Sequence, residues 1–355
     1  MQTILVLVAG FLGAGKTSLI LAAARRLENA GIRTGVITND QGGELVDTAL
    51  AESEGRLARE IAGGCFCCRF PDFADAAAYL RESPAAPDVI LAEPVGSCAD
   101  LVATVVEPFK RYYPDRFRIA PVTVVVDPAR AGRLLAPDAD PLVAYLFRRQ
   151  IAEADLVLLS KADRYPVPPE LPGIAARTVS VQTGAGVAEW LDDVLRAGAE
   201  ATGRAVEIDY ALYAGAEARL GWLNWQASVR LKTPLSPPMV LGPLLDRLDE
   251  ILTQEGVEIA HLKAFAQAAT GHVKASICAN GEEPSVEGML DASPAREHTL
   301  LLNLRAAGDP AVLERAAGQA VAEVPGRVVV THRECFRPSP PVPRHRIPAG
   351  STSAS

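Results

Sequence analysis

The sequence predicts an α/β fold with a mostly parallel sheet covered by helices, followed by a smaller α+β domain. Three observations carry this. Over the first two hundred residues or so, short apolar runs alternate with helical stretches, the sequence form of a parallel sheet. A glycine-rich loop, Gly10 to Thr17, stands between the first apolar run and the first helical stretch. Later in the chain the pattern changes to alternating strands and two amphipathic helices.

The strands of the first part are expected at Thr3 to Val8, Thr34 to Thr38, Val89 to Ala92, Val122 to Val126, Leu156 to Leu159 and Thr178 to Val181. Helices are expected at Thr17 to Asn29, directly after the glycine-rich loop, and at Phe73 to Arg81. Ala201 to Gly221 has no period and reads as a connector. Beyond it, Gln226 to Lys232 alternates as a strand, and Leu244, Leu245, Leu248, Ile251 and Leu252 mark one face of a helix. Strands at Glu258 to Ala266, His272 to Ala279, His298 to Leu304 and Arg327 to Thr331, with a helix near Ala311 to Val321, suggest a ferredoxin-like split βαβ unit with an added strand. The expected domains are therefore 1–205, a linker 206–225, an α+β C-terminal domain 226–336 and a flexible Pro- and Ser-rich tail 337–355.

Composition bounds the function. Net charge of -8 and pI near 5.3 lack the dense basic face that nucleic acid or an anionic membrane would require. The apolar run Ile4 to Val8 is too short to span a bilayer and has no basic leader, so a cytoplasmic protein is expected. Six cysteines without a secretory signal read as thiols or metal ligands rather than a disulfide framework. Adjacent Cys67 and Cys68 would pair only through a strained bridge.

Gly10-Phe11-Leu12-Gly13-Ala14-Gly15-Lys16-Thr17 fits the phosphate-loop pattern in its proper context, between a strand and a helix, and makes the first domain a P-loop NTPase. Backbone N–H groups from Gly10, Gly13, Ala14 and Gly15 through Ser18 would wrap the phosphates, Lys16 would reach the β and γ oxygens, and Thr17 would offer its hydroxyl to Mg²⁺. Ser160-Lys161-Ala162-Asp163 lies close to the Asn-Lys-x-Asp sequence that reads guanine: Asp163 can accept from the guanine N1–H and its amine, and Lys161 can lie along the ring. Ser160 stands in place of the usual Asn. Ser180 and Val181 open a loop like the one that meets the guanine O6. Glu93-Pro94-Val95-Gly96 ends an apolar strand, where Glu93 can hold a Mg²⁺-bound water or orient the attacking one and Gly96 permits close approach to the γ-phosphate. Asn39 to Asp47 occupies a switch position, with Asp40 or Asp47 as candidates for Mg²⁺ or water and a solvated loop as the competing reading.

Cys65-Phe66-Cys67-Cys68 follows Gly63-Gly64 and can gather thiolates around one soft ion such as Zn²⁺. Cys98, five residues after Glu93, is a further candidate ligand or transfer station, with chance placement as the competing reading. His332-x-x-Cys335 could form half of a second site.

On Gly10 to Thr17, Asn39 to Asp47, Gly64 to Cys68, Glu93 to Gly96 and Ser160 to Asp163, in that order, the chain resembles the CobW-like metallochaperone GTPases, relatives of the nickel-insertion GTPases of hydrogenase and urease maturation. The resemblance covers most of the first two hundred residues or so and reaches the second domain only in outline. It implies slow hydrolysis of GTP with Mg²⁺, a nucleotide-dependent homodimer, and delivery of Zn²⁺ or Co²⁺ to a client metalloprotein or an enzyme of a corrinoid pathway. The switch reads Asn39-Asp40-Gln41-Gly42 where the family usually has Asn-Glu-Phe-Gly, and the His-rich stretch of some members is absent. Glu93 to Cys98 together with Gly221-Trp222-Leu223-Asn224 look most like a branch tied to corrinoid-dependent methyl transfer. The rival classes are a P-loop phosphotransferase with merely structural thiols, and a redox or metal sensor that binds nucleotide and acts through a partner.

Overall fold

The computed structural model describes residues 2–39, 46, 49, 57–167, 171 and 173–348. The chain divides into two compact units: one takes Met1–Gln41, Gly55–Ala216 and Pro340–Ser355, the other Gly42–Glu54 and Glu217–Ser339.

The first unit is built on an eight-stranded parallel sheet. Its strands are β1 (Thr3–Ala9), β2 (Thr34–Asn39), β3 (Ala58–Ile61), β4 (Val89–Glu93), β5 (Phe117–Ile119), β6 (Thr123–Val126), β7 (Leu156–Leu159) and β8 (Ala176–Thr178). They lie in the order β3-β2-β4-β1-β6-β7-β8, with β5 also paired to β1. Leu5 to Val8 on β1 and Ile90 to Ala92 on β4 are fully buried, as continuous apolar runs covered on both faces must be. Helix α1 (Lys16–Asn29) turns Leu19, Ile20, Ala23, Ala24 and Leu27 to this core. With β1 flanked by β4 and β6, the carboxyl ends of all three open on one edge, the place where open α/β sheets bind ligands.

Other helices of this unit are α2 (Phe70–Glu82), α3 (Glu107–Tyr112), α4 (Pro128–Leu134), α5 (Pro141–Ala152), α6 (Val187–Leu195) and α7 (Tyr210–Glu217). A π-helical turn, Val102–Val106, precedes α3, where Pro108 has no N–H to give the carbonyl four residues back. The expected strand Thr178 to Val181 ends earlier, because the Ser180 N–H leaves the ladder for Ala185 O at 2.9 Å.

The second unit is an antiparallel sheet in the order β12-β11-β10-β13-β9-β14. Its strands are β9 (Gly221–Leu235), β10 (Glu258–Ala268), β11 (Gly271–Ile277), β12 (Ser285–Gly288), β13 (Ala295–Ala307) and β14 (Gly326–Phe336). Helices α8 (Pro237–Gln254) and α9 (Pro310–Ala322) share one hydrophobic core with the sheet, through Leu244, Leu248, Leu302 and Leu313 among others. β14-β9-β13-β10 with these helices is the split βαβ arrangement, and β11 with β12 adds two strands where one is expected.

The linker expected at 206–225 holds α7 and the first residues of β9. Residues 221–225 are buried on both sides, so their sequence does not alternate and does not announce a strand. The tail differs from the free extension expected. It carries no helix or strand through Pro348, yet Arg346 Nε donates to Asp100 at 2.7 Å and the Ile347 N–H to Ala103 O at 2.8 Å. Among the described residues no helix is long and apolar enough to cross a membrane.

Candidate functional site

β1 runs into the phosphate loop and the loop into α1. Gly10 has φ +135°, and a Cβ there would lie 2.1 Å from Val125 O on β6, so only glycine lets the chain leave the sheet at this point. Gly13 and Gly15 also hold positive φ, and α1 begins at Lys16, which puts its orphan N–H groups and positive pole at the loop with Ser18 in its first turn.

Lys16 and Thr17 are both 5 % exposed. The Thr17 hydroxyl donates to Glu93 Oε2 at 2.6 Å, and Lys16 Nζ lies 3.6 Å from Glu93 Oε1 and 3.4 Å from Phe11 O. Glu93 is thus seated on the two side chains that a bound phosphate and its cation would recruit. A Cβ on Gly96 would come within 2.7 Å of Leu12 Cδ2 and 3.1 Å of Leu12 Cα, so the loop after β4 rests directly on the phosphate loop. Asp40 and Asp47 lie outside the described residues.

At the ends of β7 and β8 the second group of expected residues meets. Ser160 bonds back to Val126 O through both its N–H, at 2.9 Å, and its hydroxyl, at 3.3 Å. Lys161 adopts a left-handed φ of 56° and sets its ammonium 2.6 Å from Asp127 Oδ2. Burial works to raise the Asp127 carboxyl, but the charge and hydrogen bond of Lys161, with the Arg130 N–H, outweigh it and hold the carboxyl below its usual range. Asp163 Oδ1 accepts from the Ser180 hydroxyl at 2.5 Å. Val181 enters the turn that follows. Asp127 was not singled out in the sequence, although Asp-Pro after an apolar strand is a helix-cap signal, and its side chain does accept from Arg130 N at 3.0 Å.

The thiol loop closes as a tight turn, in which the N–H groups of Cys68 and Arg69 both donate to Cys65 O. Phe66 anchors it, stacked on Phe73 of α2 with ring centroids 3.9 Å apart. The sulfurs of Cys65 and Cys67 are joined as a disulfide, a pairing that the reading of all three as thiols does not include. The turn explains it: the two Cα atoms are brought to 5.4 Å, within reach of a bridge. Cys68 Sγ lies 3.6 Å from Cys65 Sγ and 3.7 Å from Cys67 Sγ.

Cys98 completes the group. Its sulfur and those of Cys65 and Cys67 all lie within 4.8 Å of one another, and all three residues are buried. Once the disulfide is reduced, the donor set suits a soft, thiophilic cation. Gln150 on α5 holds the Cys98 loop in place, its Nε2 donating to Gly96 O at 3.0 Å and to Cys98 O at 2.9 Å. Tyr213 of α7 accepts from the Ala99 N–H at 3.1 Å. Neither residue carries a local sequence signal, since each acts across more than fifty positions.

His332 and Cys335 are not joined by a third potential ligand among the described residues. Among the described residues, Cys65, Cys67 and Cys98 form the one group of three potential ligands. The Cys335 thiol instead meets Pro310 O at 3.1 Å, and burial, then the charges of Glu314 and Asp309, push it up to about 11.

A zinc chaperone of Escherichia coli (strain K12), YeiR, is 33% identical over 166 residues, covering 44% of this chain and 46% of its own length. The zinc chaperone CobW of Pseudomonas aeruginosa is 33% identical over 193 residues, covering 44% of this chain and 48% of its own. The chain thus spans about half the length of each relative. The structure of HypB from Helicobacter pylori in complex with nickel covers 57% of this chain and 90% of its own, at 17% identity and a TM-score of 0.42. The nucleotide-binding domain pattern of CobW, HypB and UreG matches residues 4–188, just over half of the chain and all of the strands around the phosphate loop, so the chain belongs to the CobW/HypB/UreG family.

Proposed function

We propose that the protein is a GTP-hydrolysing metallochaperone that carries Zn²⁺ or Co²⁺ on Cys65, Cys67, Cys68 and Cys98 and releases it to a client metalloprotein or a corrinoid-pathway enzyme according to nucleotide state. The observation that carries this reading is that the three-sulfur group of Cys65, Cys67 and Cys98 includes a residue of the loop that leaves Glu93, while Glu93 itself contacts Lys16 and Thr17. The zinc-chaperone names of the two relatives support the choice of cargo.

In hydrolysis, water adds to the γ-phosphorus, the bond to the β–γ bridging oxygen breaks, and GDP and inorganic phosphate leave. Lys16 turns from Glu93 to the phosphate oxygens, and backbone N–H groups of Gly13 to Ser18 hold their charge. The Thr17 hydroxyl would hold Mg²⁺, which would neutralise phosphate charge there. Glu93, freed from Thr17 and Lys16, orients the attacking water, and Asp40 is a further candidate for that task. Ser160, Lys161, Asp163, Ser180 and Val181 bind the base. Asp163, its Oδ1 already fixed by Ser180, selects guanine.

Titrating Zn²⁺ into the reduced protein with a non-hydrolysable GTP analogue and with GDP tests the proposal. Affinities that differ tenfold or more support coupling, and equal affinities remove it. A second reading, a thiol redox sensor acting through partner binding, draws on the Cys65–Cys67 disulfide. It predicts negligible GTP turnover whatever metal is supplied.

A further inference from the structure

Asn39 is the last residue of β2 and is 6 % exposed. Its carboxamide makes four hydrogen bonds to three separate segments. Nδ2 donates to Ile61 O at the end of β3, at 2.9 Å, and to Gly64 O at the start of the thiol loop, at 2.8 Å. Oδ1 accepts from the N–H of Phe66, between Cys65 and Cys67, at 2.9 Å, and from the N–H of Val95, two residues beyond Glu93, at 3.4 Å. The partners fix the orientation of the amide, since two are carbonyls and two are N–H groups. A carboxylate lacks the donors, and a hydroxyl lacks the second one. Only an amide satisfies all four.

This side chain therefore ties the thiol loop to the loop that leaves Glu93. The two ends of the tie are unequal. Phe66 is pinned by its stack on Phe73, whereas the Val95 bond is the longest of the four and belongs to a segment whose first residue, Glu93, must leave Thr17 and Lys16 when phosphate and cation arrive. Gly96 already packs closely on Leu12, which leaves little room for that segment to shift toward the phosphate loop. A displacement of the segment is felt at the Val95 N–H on the shared oxygen of Asn39, which also holds the N–H between the two cysteines.

We propose that Asn39 is the positioning residue that transmits nucleotide state from the Glu93 loop to the thiol site, by holding Phe66 and Val95 on one oxygen in one state and losing Val95 in the other. This rests on the function proposed above and adds the route of coupling. It requires a two-state element biased by both ligands, and the Val95–Asn39–Phe66 bridge supplies one.

Two measurements on the full chain test it. In the wild type, hydrogen exchange at the Phe66 and Val95 amides is followed with GDP and with a non-hydrolysable GTP analogue, both with Zn²⁺ bound. Protection at Val95 should differ tenfold or more between the states, with a smaller change in the same pair of conditions at Phe66. In parallel, Zn²⁺ affinity is measured in both nucleotide states for wild type, Asn39→Ala and Asn39→Asp, the last keeping the acceptor oxygen while removing both donations. The wild-type ratio of affinities should collapse to within twofold of unity in Asn39→Ala, which removes the shared oxygen, and should persist in Asn39→Asp, which keeps it. Equal affinities in the wild type would sink the proposed function itself. A wild-type ratio that survives in Asn39→Ala, or amides indifferent to nucleotide, would overturn the role of Asn39 and leave that function standing.

Discussion

Replacing Asp163 with Asn tests the base assignment on which the choice of GTP depends. The Ser180 hydroxyl occupies one acceptor direction on Oδ1 at 2.5 Å and fixes the plane of the carboxylate, which leaves acceptor directions on both oxygens for a guanine N1–H and its amine. A hydrogen bond to a charged group contributes about 1.5–3 kcal/mol, and leaving two donors facing each other costs about 1–3 kcal/mol more, so losing the bond to the amine costs about 2.5–6 kcal/mol. That corresponds to roughly a 10²- to 10⁴-fold rise in Kd for GTP. An amide at this position still accepts from N1–H through its oxygen but presents its NH₂ to the guanine amine, donor against donor. Xanthine has a carbonyl in place of that amine, so the same substitution should gain affinity for xanthosine triphosphate. Titration of the wild type and of Asp163→Asn with GTP, ATP and xanthosine triphosphate, read by calorimetry, measures the exchange. GTP binding by the variant within threefold of wild type, or wild-type preference for ATP, would refute the reasoning.

Glu93→Gln keeps an acceptor for Thr17 but removes the charge beside Lys16, so steady-state GTP hydrolysis should fall by about 10²-fold while nucleotide binding persists. Cys98→Ser should weaken Zn²⁺ binding to the reduced protein by more than the roughly 10- to 100-fold that follows loss of a group behind the ligands, as a chromogenic chelator competition would show. Glu153 is buried against the Val102 and Asp100 N–H groups, and burial first, then the Asp100 charge, push its carboxyl from the usual range up to about 8. The folded chain therefore holds this proton more tightly than the unfolded one: its contribution is greatest at acid pH and is lost as pH rises toward 8, by on the order of 4 kcal/mol. Urea unfolding of Glu153→Gln should show a flatter decline between pH 5 and pH 8 than wild type, and parallel curves would exclude this burial cost. Asp100 is fully buried with Arg346 and the Tyr210 hydroxyl as partners, so Arg346→Ala should destabilise the first unit by about 2 kcal/mol, less than a fully buried pair because the arginine is 31 % exposed. Loss of less than about 0.5 kcal/mol in urea unfolding would place that pair with ordinary surface ion pairs.

The parts legible in the sequence are those whose cause is local. β1, β2, β4, β6 and β7 are apolar runs, and the phosphate loop is a contiguous string whose backbone conformation follows from its glycines. β3, a half-buried edge strand reading Ala-Arg-Glu-Ile, and the three-residue β5 have too little pattern to stand out. At the site, Lys16, Thr17 and Glu93 could be named from motif context, but the hold of Glu93 on both side chains follows from β4 lying beside β1. The approach of Cys98 to Cys65 and Cys67 comes from the same strand order, with β2 next to β4, and no spacing along the chain encodes it. Gln150, Tyr213 and Arg346 are invisible for the same reason: each is an ordinary residue until the fold brings the Cys98 loop to it.

The segment around residues 342–347 gives the molecule a built-in order of completion. The Val342 N–H donates to Cys68 Sγ at 3.2 Å, the His345 ring lies 5.5 Å from that of Phe70, and Arg346 neutralises Asp100, two residues past Cys98. All of these touch the thiol region of a unit whose strands are all translated before Glu217–Ser339 of the second unit. During synthesis, then, the phosphate loop and its sheet can fold while the thiols still lack their last cover. A chain stalled or clipped within residues 217–339 would keep the phosphate loop and its strands but lack Val342 beside Cys68 and Arg346 beside Asp100. Under the proposed function, metal that entered early would meet a different thiol group from metal that entered the finished protein.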